Sequence, residues 1–381
     1  MDDFIVIGGG IVGASAAYHL ARAGAHVTLI DQAQPGQATA AGAGIIAPGS
    51  GFSQSAAFFR LAGRAAAYYE ELLANLAEDG ESNTGYETVG LLHIATSEEE
   101  AARLPILLRL LEERQAAGMK NLGEVRLLDG NEARALFPAL GIVHGAIHIP
   151  DAARLDGGLM RDALRGAAQL RGARIVVTDH EATLVREGKR LTQVHADGKT
   201  FTADKVILAA GAWSGQFAET LGLALPVYPQ RGQILHLQGP AEASGWPIVM
   251  GFHSHYLLTF PGGRIVGGAT RESHAGFDVR ETAGGVREVL NEMLRVAPGL
   301  ADATLREVRI GLRPATPDGL PILGCVPNIE NVLLATGHGA SGLQLGPYSG
   351  ALVASLATGH ETKLDLSPFK AERFQANEKH G

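Results

Sequence analysis

Short apolar runs that stop on glycine punctuate this chain from one end to the other. Residues 4–7, FIVI, are wholly apolar and read as a strand buried on both faces, since a strand with one solvated face alternates instead. The run breaks on Gly8, Gly9 and Gly10, an Ala-rich helical stretch follows to a stop at Gly24, and a second strand, HVTLI, ends on Asp31. The same strand-then-glycine pattern returns in KVILAAGAWS, residues 205–214, and in NVLLATGHGASGLQLGPYSGALVASLATG, residues 331–359, where a helix is expected to begin near Pro347. YETVGLLHIAT, GQILHLQG, HYLLTF and RIVGGAT read as further strands set off by turn residues, with Pro261, Gly262 and Gly263 as a hairpin signal. Helices are expected over 98–117 and 131–137.

Composition narrows the class without changing that picture. The 381 residues are 46% hydrophobic and 19% charged, which suits a soluble globular protein with one large core or two moderate ones. Fifty glycines with no collagen-like period point to tight turns and close backbone approach to a ligand. Against 40 acidic residues stand 32 basic ones, a net charge of −8 with no basic run, so nucleic acid is not an expected partner. Cys325, the single cysteine, excludes an internal disulfide or a CxxC pair and is expected to be a small buried residue. The acidic start MDD and the absence of any long apolar run set the expectation of a cytoplasmic protein with no transmembrane segment. There is no repeat, low-complexity tract or free linker.

The opening segment carries the first chemistry. Gly8 permits a tight turn, Gly10 lets the backbone approach a pyrophosphate, and Gly13 lets the helix pack close to the strand. Ile11 and Val12 open that helix, whose N-terminus faces the anion. Asp31, followed by Gln32, stands where a ribose hydroxyl needs an acceptor. The fingerprint alone leaves NAD and FAD open. The later strand-glycine segments favour FAD, because a nicotinamide dehydrogenase usually completes its cofactor site within one contiguous half of the chain.

Taken together, the fingerprint, TAAGAGIIAP (39–48), AAGAWS, GLRPATPDG and GHGASGLQLGP resemble the FAD-dependent D-amino acid oxidase superfamily, nearest to its glycine oxidase and small bacterial deaminating members. The resemblance runs nearly the whole length and is loose over 85–145. It implies an α/β fold: a Rossmann-like, doubly wound FAD-binding domain from residues 1–84, 146–222 and 306–381, and a second, mainly antiparallel β substrate domain from 85–145 and 223–305. It also implies oxidation of a C–N bond alpha to a carboxylate, with hydride passing from carbon to flavin N5 and the imine hydrolysing to an oxo acid.

Site residues follow from the same resemblance. Thr39, Ala40, Ala41, Gly44, Ile45 and Ile46 lie in the segment that lines the flavin ring, with Thr39 able to donate to a phosphate. Ala182 matches a position whose backbone meets adenine, and Ala210, Gly211 and Trp213 belong to the second glycine turn, Trp213 weighing more toward core than toward a cofactor wall. His338, Gly339, Ala340, Ser341, Gly342 and Leu343 lead into a helix N-terminus aimed at the N1/C2=O side of the flavin. Arg313 grips the substrate carboxylate in a loop stiffened by Pro314 and Pro317, and Tyr256 shares that carboxylate. His253 and His255 flank Tyr256 as further catalytic candidates, though their spacing to no carboxylate or cysteine cluster reads as polar rim. Arg231 and Arg264 read as structurally paired cations. Gly311 occupies the position where sarcosine-oxidising relatives carry a cysteine bonded to flavin, so FAD is expected to be non-covalent. No metal is expected.

Two other roles stay open at this level: the flavin subunit of a multi-chain amine dehydrogenase that passes electrons to a partner, and a non-catalytic FAD-binding interaction protein. A homo-oligomer is compatible with either.

Overall fold

The computed structural model describes residues 3–51 and 54–380, the side chains of 376–380 excepted. Its first layer is a six-stranded sheet in the order Ile322–Cys325, Val332–Thr336, Lys205–Leu208, Asp3–Ile7, His26–Gln32, Arg174–Thr178. All neighbours run parallel except the edge pair Ile322–Cys325 and Val332–Thr336. The apolar runs read as buried strands thus lie side by side, covered on both faces. One face packs under the helices Ile11–Arg22, Ala56–Glu78, Gly157–Leu170 and Gly342–Ala357. The other packs against a three-stranded sheet, Thr183–Glu187, Arg190–Ala196 and Lys199–Phe201. Close packing of the first helix rests on Gly13, where a Cβ would stand 1.8 Å from the Gly8 carbonyl oxygen.

The second layer is a mainly antiparallel eight-stranded sheet, in the order Thr304–Ala315, Tyr228–Gln238, Arg264–Gly268, Tyr256–Phe260, Ile248–Gly251, Leu91–Ala95, Gly145–Ile149, Arg126–Leu128. The helix Ala283–Val296 packs on it, with Met293 against Gly267. The expected borders at 146 and 306 therefore run through strands of this sheet, Gly145–Ile149 and Thr304–Ala315. Strand pairing, which a glycine or turn signal does not report, holds both strands to the large sheet.

Four local expectations need correction. The helix placed near Pro347 starts at Gly342, with Pro347 inside it. Proline has no N–H for the Leu343 carbonyl, and the Tyr69 hydroxyl donates to that oxygen instead at 2.5 Å, while Ser15 Oγ donates to the Pro347 carbonyl at 2.6 Å. The helix expected over 98–117 is two, Glu98–Ala101 and Leu104–Ala116, because Pro105 is suited to a helix start and not to an interior. Cys325 is exposed, at the end of an edge strand. Arg313 sits in the paired strand Thr304–Ala315 and not in a loop, so the ladder with Tyr228–Gln238 fixes its backbone more than the prolines do.

Candidate active site

A cleft of about 1550 Å³ of empty space, partly open to solvent, runs across the carboxyl ends of the parallel strands and on to the large sheet. Open α/β sheets bind ligands at this edge, where loops diverge and helix N-termini point inward. Gly8, Gly10, Ile11, Val12, Asp31, Gln32, Thr39 and Ala182 line one end. Ala210, Gly211 and Trp213 form the middle wall, and Gly44, Ile45, His338, Gly339, Ala340, Gly342 and Leu343 also face the cleft.

The fingerprint end is built from backbone. Gly8 has φ +97°, and a Cβ on it would lie 2.4 Å from the Ala209 carbonyl oxygen. Thr39 Oγ1 accepts the Ile11 N–H at 3.0 Å, which leaves its proton free to donate to an anion in the cleft. Asp31 lines the cleft as expected, but its carboxylate is already shared: Oδ1 accepts the Gly9 N–H at 2.8 Å, and Oδ2 pairs with Arg165. Those contacts fix the carboxylate and use part of its acceptor capacity. At the other end Gln344 Oε1 accepts the Ala47 N–H at 2.8 Å and ties the small-residue loop to the helix Gly342–Ala357. His338 is buried, its Nε2 has no hydrogen-bond partner among the described residues, and burial lowers its pKa to about 4, so it is a neutral imidazole at neutral pH. A glycine cradle, a free hydroxyl beside a helix N-terminus and an unpartnered buried imidazole fit a dinucleotide with a polar ring at its far end.

Six of the residues expected to hold the cofactor do not line the cleft. Gly13 and Ile46 are buried behind it, Ala40 points outward with its carbonyl accepting from Arg309, and Ser341 leads into the helix. Ala41 packs on Gly311, where a Cβ would meet Ala41 Cβ at 3.0 Å and Ala38 Cα at 3.6 Å. A side chain at 311 is therefore directed at the short helix Ala38–Ala41.

The large sheet supplies side chains. Arg313, Tyr256 and Arg271 face the cleft together. Arg313 Nη1 donates to the Thr270 carbonyl at 2.9 Å, and among the described residues neither Arg313 nor Arg271 makes an ion pair with a carboxylate. Burial lowers the Arg313 pKa, and Tyr256 partly offsets it. The Tyr256 pKa is raised, mainly by burial, with Arg313 and Arg271 opposing; the phenol keeps its proton at neutral pH. Two glycines make room: a Cβ on Gly232 would stand 2.5 Å from Arg313 Nη2, and one on Gly268 would stand 2.8 Å from the Tyr256 hydroxyl.

Arg231 and Arg264 are paired as expected, with Glu272 and Asp278 and with Asp156 respectively. The Arg231–Glu272 bridge, at 2.5 Å, and backbone bonds in both directions between these two residues anchor the segment that carries Arg271 and the Thr270 carbonyl. His253 and His255 do not face the cleft. They open into a separate one beside the helix Ala283–Val296, whereas Tyr256 lines the main cleft and Ser254 lines both. His253 and His255 lie in the bend that precedes the strand Tyr256–Phe260, so nearness to Tyr256 in sequence does not put their side chains on its cleft-facing side.

Arg271, Arg165, Gly232, Gly268 and Gln344 carry parts of this site that motif reading passed over. Glycines inside apolar strand patterns, as in RGQIL and VGGAT, were the available signal for two of them, since a strand glycine often marks close approach. The arginines gave none, because pairing partners are set by strands far apart in the chain.

The parallel sheet, the glycine cradle and the strand-borne cations define a dinucleotide-binding oxidoreductase. Residues 3–356 match the family of FAD-dependent oxidoreductases that includes D-amino acid oxidase, and the chain belongs to that family. FAD is thus its cofactor. An uncharacterised oxidoreductase of Bacillus subtilis is 43% identical over 371 residues, 97% of this chain and 98% of that protein. Glycine oxidase of Geobacillus kaustophilus is 32% identical over 97% of both chains. Among solved structures, iminodiacetate oxidase from Chelativorans sp. BNC1 superposes with a TM-score of 0.92 at 43% identity, covering 97% of this chain and 98% of that one. No helix among the described residues is long and apolar enough to cross a membrane.

Proposed function

We propose that this enzyme oxidises the C–N bond of a small amine whose nitrogen is one carbon from a carboxylate: glycine, an N-substituted glycine or a D-amino acid. The observation that carries the reading is Arg313, a half-buried guanidinium that makes no ion pair with a carboxylate among the described residues, standing with Arg271 and Tyr256 in the FAD cleft. A buried cation that lacks a counter-ion is costly, and a substrate carboxylate supplies one. Glycine and iminodiacetate, named for two of the similar enzymes, share this amine-carbon-carboxylate unit.

Bound FAD supplies a two-electron acceptor. The chain's own residues then position the substrate. Arg313 and Arg271 hold the carboxylate, and the protonated Tyr256 phenol donates to the same group. Trp213, stacked with Phe277 at 5.6 Å between ring centroids, covers one wall and limits water. The aimed direction of a side chain at 311, into Ala38–Ala41, supports non-covalent FAD.

Anaerobic mixing with glycine, sarcosine, iminodiacetate and D-alanine, each beside the corresponding amine without its carboxylate, tests this reading. The expected result is bleaching of the flavin absorbance by at least one carboxylate-bearing amine and by none of the decarboxylated amines, followed by rapid recovery in air. Equal bleaching by both groups overturns the carboxylate clamp. Slow recovery in air with fast dye reduction replaces oxygen with a partner as acceptor.

A further inference from the structure

The cleft that holds His253 and His255 is distinct from the FAD cleft, with Ser254 lining both, and the proposed oxidation does not use it. It is formed where the segment between the strands Ile248–Gly251 and Tyr256–Phe260 meets the helix Ala283–Val296. Glu288 and Glu292 are four residues apart, on one face of that helix. One ring nitrogen from each histidine and one carboxylate oxygen of Glu292 all lie within 4.8 Å of one another. His255 is only 9% exposed, and its Nε2 has no hydrogen-bond partner among the described residues, lying 3.4 Å from Glu288 Oε1.

We infer that His253, His255 and Glu292 form a binding site for a divalent transition-metal ion of the zinc type. Two imidazoles and one carboxylate suit such an ion and leave a fourth position for water or for Glu288. Ligand atoms around tetrahedral zinc stand about 3.3 Å apart at bond lengths of about 2.0 Å, so the cluster must close by somewhat more than 1 Å, within reach of a glutamate side chain on an open cleft.

Arg295 is the competing element. Its Nε and Nη2 donate to Glu292 Oε2 at 3.1 and 2.8 Å, so the metal has to share Glu292 with this guanidinium. The opposite reading, a purely structural network of Arg295–Glu292 and His255–Glu288 pairs, gives the cleft no affinity for a metal. The two readings differ in what removing Arg295 does.

The test is equilibrium dialysis of the FAD-loaded, tag-free chain against Zn²⁺ with a weak competing chelator, followed by metal analysis. Expected are one zinc per chain, at least tenfold weaker binding in His255→Asn and in Glu292→Gln, and several-fold tighter binding in Arg295→Gln. Flavin content measured on each variant identifies any that misfold. Arg295→Gln is a gain of affinity, which misfolding does not imitate. Zinc retention by wild type no greater than by a His253→Ala/His255→Ala variant, or equal retention by wild type, Glu292→Gln and Arg295→Gln, overturns the site.

Discussion

The two ends of the cleft are built by different means. At the fingerprint end the chain offers backbone: glycines whose missing side chains let strand, helix and ligand come together, with one threonine hydroxyl and one carboxylate already fixed by Gly9 and Arg165. At the large-sheet end it offers side chains, two guanidiniums and a phenol, carried by strands and a connecting segment and held by bonds to residues distant in sequence. Backbone chemistry fails when a side chain is added. Side-chain chemistry fails when one is removed. The first failure should cost cofactor and stability, the second turnover alone.

Arg313→Met breaks the comparison most sharply. Losing one partner of a buried, charged pair costs about 2–5 kcal/mol, which at about 1.36 kcal/mol per decade is a fall in kcat/KM of roughly thirtyfold to several thousandfold. FAD content and melting temperature are expected to stay near wild type, since among the described residues the side chain's only hydrogen bond is to the Thr270 carbonyl. Arg313→Lys recovers little, because a point charge does not reproduce a bidentate fork. A variant that loses FAD along with activity would mean that Arg313 supports the cleft and not the substrate.

Two added methyl groups sharpen the contrast. In Gly8→Ala the new Cβ meets fixed backbone, the Ala209 carbonyl at 2.4 Å, at a φ of +97° that alanine resists. About 1–3 kcal/mol of stability and much of the bound FAD should be lost. In Gly232→Ala the Cβ meets the far end of a side chain, the Arg313 guanidinium at 2.5–2.7 Å, which can move aside. FAD should be retained while kcat/KM falls by about tenfold to a hundredfold, the effect of misplacing a positioning group by about 1 Å. Comparable FAD loss in both variants would erase the distinction between the two ends.

The same difference decides what was legible. Gly8, Gly10 and Gly13 act within one strand-turn-helix unit, so their spacing in sequence is their spacing in space, and the parallel sheet followed from apolar runs that each ended on such a turn. Arg313 and Tyr256 were reached through resemblance and not through spacing, as they are 57 positions apart and meet only because Tyr228–Gln238 and Arg264–Gly268 bring their strands into one sheet. Arg271 went unread for that reason. His253 and His255 were misplaced because adjacency to Tyr256 carries no information about which side of the chain a residue faces. Pro347 misled in another way: its cost inside a helix is offset by Tyr69, a residue 278 positions earlier.

Acid provides the smallest and most distributed test. His338 in the FAD cleft and His93 and His236 in the large sheet are all buried, and burial is the leading cause that lowers each pKa from 6.5 to about 4. Above pH 6.5 both the folded and unfolded chains hold these rings neutral. Between 6.5 and about 4 the unfolded chain takes up protons that the folded chain refuses, so stability is lost as pH falls through that window. Each ring contributes a slope of at most about 1.4 kcal/mol per pH unit, less for His236, which Glu307 at 3.5 Å partly favours in its charged form. Melting temperatures from pH 7.5 to 4.5 should therefore decline, and His338→Asn should flatten the decline while leaving the sheet's share in place. His93→Asn removes part of the other share. A melting temperature unchanged between pH 7 and pH 5 would mean that the folded chain admits protons to these rings after all, and that neither the cleft around His338 nor the large sheet around His93 and His236 excludes water as their burial indicates.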